Sequence, residues 1–177
     1  MTTPAAFLND QLRQEHSRAH SVRLAEWIGC DAERFAALME SFLGADYRLG
    51  QRSAWVLFFA AQKSPELLAP WWPKMVTKMR EPGVHHAVKR NVVRVLQDLE
   101  IPDNVVDELA DACFRFLADP QETVAVRVFS MSVLEKICRN IPELKPELRL
   151  LIEEHLEFGT PAFKNRGRRI LNRLEKS

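Results

Sequence analysis

The stretch Val84 to Asn91, VHHAVKRN, sets two adjacent histidines ahead of a Lys-Arg pair. Such a group could be half of a metal site, a phosphate-binding patch, or the start of a helix. Adjacent histidines on a helix point about 100° apart and chelate poorly. His16 and His20, with Glu15 beside them, have the i, i+4 spacing that lets one helix face hold a metal. The reading places both on one helix. A third ligand is not evident and HExxH is absent, so no metal and no cofactor are expected. His155 stands alone on an acidic helix.

The catalytic inventory is thin. GxSxG, the P-loop and GxGxxG are all missing. Cys30, Cys113 and Cys138 are scattered, without a CxxC pair, which points to reduced thiols in the cytoplasm. Cys113 falls in an apolar column and is expected to be inert. Glu135 and Asp98 are the candidate carboxylates among the basic helices. No enzymatic activity is expected.

Composition sets the frame. The chain has 177 residues, 46% apolar and 28% charged, which suits one soluble domain spanning 1–177. Its formal charge of +1 names no partner. No apolar run is long enough to span a bilayer, and the N-terminus lacks the apolar stretch of a signal peptide. Six glycines, one tyrosine and no sustained β-branched alternation argue against sheets. Leu, Ala, Glu and Arg at three- and four-residue spacing predict helices nearly throughout.

The helices repeat. At an offset of 38, Leu57-Phe58 falls on Val95-Leu96 and then on Val133-Leu134; at 37 it falls on Ile170-Leu171. The helices before them form three apolar columns: Phe35, Trp71, Leu109 and Leu148; Met39, Met75, Cys113 and Ile152; Leu43, Met79, Leu117 and Leu156. Spacing of i, i+4, i+8 within each helix makes one buried stripe. The chain therefore divides into helix pairs at 31–62, 65–100, 103–139 and 142–175, with cap helices within 1–29. Ser64-Pro65 and Thr160-Pro161 read as an N-cap followed by proline at the first helical position. Pro70 and Pro73 fall inside a first helix and predict a kink or break there.

FLADPQETVAVRVFSMSVLEKI (116–137) resembles the HEAT-repeat pattern: an apolar helix, an Asp-containing turn, a Val-Arg pair and a second apolar helix. Asp119, Val126 and Arg127 carry the match. FLGADYRLGQRSAWVL (42–57) matches at Asp46 and Arg52. MREPGVHHAVKRNVVRVL (79–96) matches at Val88 and Lys89 but lacks the Asp. LEFGTPAFKNRGRRIL (156–171) keeps only Lys164. The chain thus resembles short bacterial HEAT-like (armadillo-type) proteins of unassigned activity. The resemblance covers about 31–174. It implies an all-α, right-handed superhelical solenoid of about four helix pairs plus N-terminal cap helices, with second helices lining a concave face.

On that frame the first helices carry 15 acidic and 7 basic residues, the second helices 13 basic and 6 acidic. A basic layer should attract acidic protein or phosphate. The column Gln51, Lys89, Arg127, Lys164 either braces neighbouring turns or lines the concave face. The next column, Trp55, Val93, Met131, Arg168, reads as an exposed row of apolar anchors or as packing between helices. The expected contacts are Arg52, Trp55, Lys89, Arg90, Arg127, Met131, Lys164 and Arg168. The leading expectation is non-catalytic binding of an acidic protein or peptide. The alternative is nucleic-acid backbone binding, for which FKNRGRRILNR (163–173) is the most basic segment. A HEAT-like DNA glycosylase, pairing Trp55 with Glu135, ranks below both, because no spacing rule links those residues.

Overall fold

The computed structural model of the protein describes residues 3–176. Among the described residues there are ten α-helices and no strand. They are α1 (Pro4–Gln14), α2 (Arg18–Ile28), α3 (Ala32–Leu43), α4 (Tyr47–Lys63), α5 (Trp72–Arg80), α6 (His86–Leu96), α7 (Asp103–Ala118), α8 (Val124–Asn140), α9 (Lys145–Leu156) and α10 (Pro161–Leu174). The all-α arrangement of cap helices and four helix pairs follows the periodicity of the apolar residues. No helix is long and apolar enough to cross a membrane.

Short polar side chains start the helices. Asp31 Oδ1 accepts from the Glu33 and Arg34 amides at 2.9 and 3.0 Å. Asp46 Oδ1 accepts from Arg48 and Leu49 at 3.0 and 3.2 Å. Ser17 caps α2 and Thr160 caps α10. Each cap supplies an acceptor to amides that have no partner within the helix. Ser64 departs from its expected role. Its buried hydroxyl makes no cap bond and instead meets the Gly29 carbonyl at 3.3 Å and Cys30 Sγ at 3.2 Å.

Pro70 and Pro73 break the first helix of the second pair, as their missing donors require. A 3-10 helix spans Pro65–Trp71 and α5 begins at Trp72. This shifts the expected column. Trp72 is buried, 6% exposed, while Trp71 is half-buried with Lys74 Nζ 4.4 Å from its ring centroid. The tighter three-residue turn advances the side-chain register, so the neighbour of the predicted core tryptophan reaches the core.

Two compact units share the chain, one ending at Val95 and one beginning at Leu96. In the first, α3 packs on α4, α4 also receives α2 and α1, and α1 packs on α3. Its core holds Phe35, Leu38, Met39, Leu57, Met75 and Met79, all essentially inaccessible. In the second, α7 pairs with α8, and α10 packs on both α8 and α9. Leu109, Cys113, Leu134, Leu148, Ile152 and Ile170 form its core. Glycines permit the closest approaches. A Cβ on Gly50 of α4 would stand 2.9 Å from the Phe42 carbonyl oxygen of α3. A Cβ on Gly167 of α10 would stand 2.9 Å from Ile152 Cγ2 of α9.

Candidate functional site

Basic side chains repeatedly close the C-terminal ends of helices. Arg52 Nη1, from α4, donates to the Leu12 and Arg13 carbonyls of α1 at 2.6 and 2.9 Å. Arg34 Nη1 donates to Trp27 O of α2 at 2.5 Å. Arg127 Nε donates to Leu117 O of α7 at 3.0 Å, and Lys136 Nζ donates to Leu99 O, which follows α6. These carbonyls have no intrahelical donor and sit at the negative end of the helix dipole. At Arg52 and Arg127, then, bracing is part of what the basic residues do. Arg127 also lies over the Phe163 ring at 4.7 Å. Burial lowers its pKa from the usual guanidinium range, and the Asp119 charge offsets this in part.

Around Arg52 the first unit opens into a cleft of about 350 Å³ lined by His16, Tyr47, Arg48, Gln51 and Arg52. The segment between α1 and α2 supplies His16, and the first two turns of α4 supply the rest. Among the described residues no carboxylate lines it. Asp46 lines an adjoining cleft with Arg13, Arg48, Leu49 and Arg52. There it caps α4 and pairs with Arg13 at 3.6 Å. The bond to the Leu49 amide, foremost, holds its carboxyl below the usual range.

Aromatic rings border the cleft. Trp55, one turn beyond Arg52, is half-buried between His16 (ring centroids 5.3 Å) and the Arg94 guanidinium (5.6 Å). Tyr47 stacks on His85 at 4.9 Å, and His85 stacks on His86 at 4.2 Å. His85 Nδ1 accepts from the Ala87 amide at 3.2 Å, so the two histidines mark the start of α6. Arg48 is exposed, with Nε 3.4 Å from the Tyr47 hydroxyl. His16 senses the local charge. Partial burial, then the Arg52 and Arg94 charges, hold its imidazole below the ordinary histidine range.

Of the expected contacts, the cleft gathers Arg52 as a wall and Trp55 as a neighbour. Lys89 and Arg90 lie half-buried on α6 and do not line it. In the second unit Arg127 is committed to Leu117 and Phe163. Lys164 is half-buried and Arg168 exposed on α10. Met131, expected in an exposed row, is fully buried, as is Val93. The reason at Met131 is α10: a Cβ on Gly167 would come within 3.9 Å of its sulfur. The second unit's own small cleft is lined by Glu135, Cys138, Arg139, Lys145, Arg173 and Leu174, none of them expected contacts. Glu135, considered above as a catalytic carboxylate, is buried and accepts from Arg173 Nη1 at 2.7 and 3.0 Å.

His16 and His20 do not share a helix. α1 ends at Gln14 and Ser17 starts α2, because the Ser17 hydroxyl accepts from the His20 amide at 3.1 Å. His20 is buried, with Nε2 against Gln11 O and Nδ1 against Arg23 Nη2, both at 3.1 Å. Among the described residues no three His, Cys, Asp or Glu side chains group as metal ligands would. Cys113 is fully buried, and burial pushes its thiol up to about 12. Tyr47, Arg48 and the coming together of His16 with Arg94 were not found from the repeat. The i, i+4 spacing of Tyr47 and Gln51, together with Arg48 and Arg52, was the available signal on α4. Nothing local announces that the α1–α2 segment comes to lie beside them.

A family model described as a HEAT repeat domain matches residues 8–174. No curated protein matches the chain, and no solved structure matches it.

Proposed function

The chain belongs to the HEAT-repeat family, and we propose that it is a non-catalytic, cytoplasmic binding protein that engages an acidic protein or peptide through α4 and its cleft. HEAT repeats commonly mediate contacts between proteins, which is compatible with a scaffold role. The carrying observation is the cleft itself: Arg48, Arg52 and His16 converge on it, with no carboxylate lining it among the described residues, beside half-buried Trp55. Arginine next to tryptophan or tyrosine is the composition that interface anchors favour. An acidic side chain entering here meets the Arg48 and Arg52 guanidiniums, with Asp46 of the adjoining cleft turned to its cap bonds and to Arg13.

Nucleic acid is the second reading, and one observation favours it. The Tyr47–His85–His86 ring stack beside Arg48 is the kind of surface on which bases stack. The two readings separate in a pull-down from cytosol, with and without nuclease, using wild type and the double variant Arg48→Glu, Gln51→Glu. Both positions are exposed, so the helices should be retained. A protein partner that resists nuclease and is lost with the double variant is the expected result. Recovery of nucleic acid, or equal capture by the variant, would count against the acidic-partner reading.

A further inference from the structure

The donors in the cleft outnumber what a carboxylate can accept. His16, Tyr47, Arg48, Gln51 and Arg52 each offer at least one N–H or O–H, and they come from two chain segments around one volume of about 350 Å³. That volume is at the lower end of the range for small-ligand sites. A carboxylate has two oxygens. A phosphomonoester brings three acceptor oxygens and a charge of about −1.5 to −2 near neutral pH. Two lining guanidiniums suit that charge, and arginine forks suit that geometry. A nucleic-acid diester has only two free oxygens and one charge, and it favours a row of cations along a strand. Here the cations converge on a single pocket.

We propose that the cleft receives a phosphorylated serine, threonine or tyrosine side chain of the protein partner, held by Arg48, Arg52 and Gln51 and faced by His16. This rests on the acidic-partner reading and specifies the acid. A proton accompanies the phosphate. The groups facing His16 are Arg52 and Trp55 of α4 and Arg94 of α6. On α1, Arg13 is paired with Asp46. On α2, Arg23 and His20 face Glu15, which also takes the Ser17 hydroxyl. The net field on the imidazole is therefore positive, and a bound dianion reverses it. By linkage, His16 gains basicity as phosphate enters, and binding takes up a fraction of a proton where the imidazole titrates.

The test uses the full chain. The His16 imidazole is titrated by NMR in inorganic phosphate and in chloride at matched ionic strength. Affinities are then measured for one peptide carrying phosphoserine, glutamate or serine at its centre, and for a single-stranded oligonucleotide. We expect phosphate, not chloride, to raise the His16 pKa by about half a unit or more. The phosphoserine peptide should bind about tenfold tighter than the glutamate peptide, with that preference lost in Arg48→Gln. Equal effects of phosphate and chloride would overturn the inference. Equal affinity for the phosphoserine and glutamate peptides would overturn it while sparing the acidic-partner reading. Binding of no peptide at all would overturn both. An oligonucleotide that displaces the phosphopeptide at lower concentration would overturn it in favour of a diester ligand.

Discussion

At the scale of single residues, charge and burial decide behaviour more than residue type does. His16 has a folded-state pKa below its unfolded one, so the unfolded chain binds more protons as pH falls through about 6.5. Stability should therefore drop between pH 7 and 5, and His16→Gln should flatten that part of the profile in denaturant titrations. The cysteines divide by burial. Cys30 is exposed, whereas burial pushes Cys113 and Cys138 up to about 12 and about 11. A thiol reagent at pH 8 should label Cys30 promptly and the other two only after denaturant is added. Three fast thiols would contradict the packing of α7 and α8. Much of this was legible: Cys113 sits in an apolar column that the spacing alone reveals. The state of His16 was not, because it depends on Arg52 and Arg94, far apart in the chain and brought together only by folding. Trp55 and Met131 share a repeat position, yet one meets a polar segment and the other lies under α10.

Between helices, the recurring device is a basic side chain on one helix closing the C-terminal carbonyls of another. Arg127 does this for α7 while covering Phe163 of α10. Arg127→Glu should destabilise the protein by about 1–3 kcal/mol, through the unpaired Leu117 carbonyl and the lost ring contact. Arg127→Lys should recover part of that. An Arg127→Glu variant with unchanged melting would show that this bond carries little. Gly50 sets the α3–α4 approach. Gly50→Ala places a methyl 2.9 Å from a backbone oxygen that cannot move alone, so a loss of about 1–3 kcal/mol is expected in thermal unfolding. Helix boundaries were partly legible: Thr160 caps where its type predicts, whereas Ser64 does not cap and the break at Ser17, between His16 and His20, was not read. The Pro70–Pro73 segment is a further departure. Proline announced the break there, but the register of the 3-10 turn, and so the choice of Trp72 over Trp71 for the core, depended on packing.

Over the whole molecule, the division of charge acquires a more local meaning. Second helices are basic partly because their arginines and lysines serve neighbouring helix ends, and only what remains is available to a partner. In the first unit that remainder gathers in one place, at Tyr47, Arg48 and Gln51 with His16, beside Arg52, whose Nη1 serves the end of α1. In the second unit Arg168 and Arg169 are exposed on α10, apart from the lining residues of the cleft at Glu135 and Arg173. Family membership and the all-α architecture were readable from the 37- and 38-residue offsets, which repeat wherever a helix pair must bury the same stripe. The site was half readable, because a repeat specifies what is common to its units and a cleft arises where one unit differs. The most direct measurement is a chemical-shift map of the full chain titrated with a glutamate-rich peptide. The account predicts shifts at His16, Tyr47, Arg48, Gln51 and Arg52 that vanish in Arg48→Glu, Gln51→Glu. Shifts confined to α10, or unchanged in that variant, would contradict it.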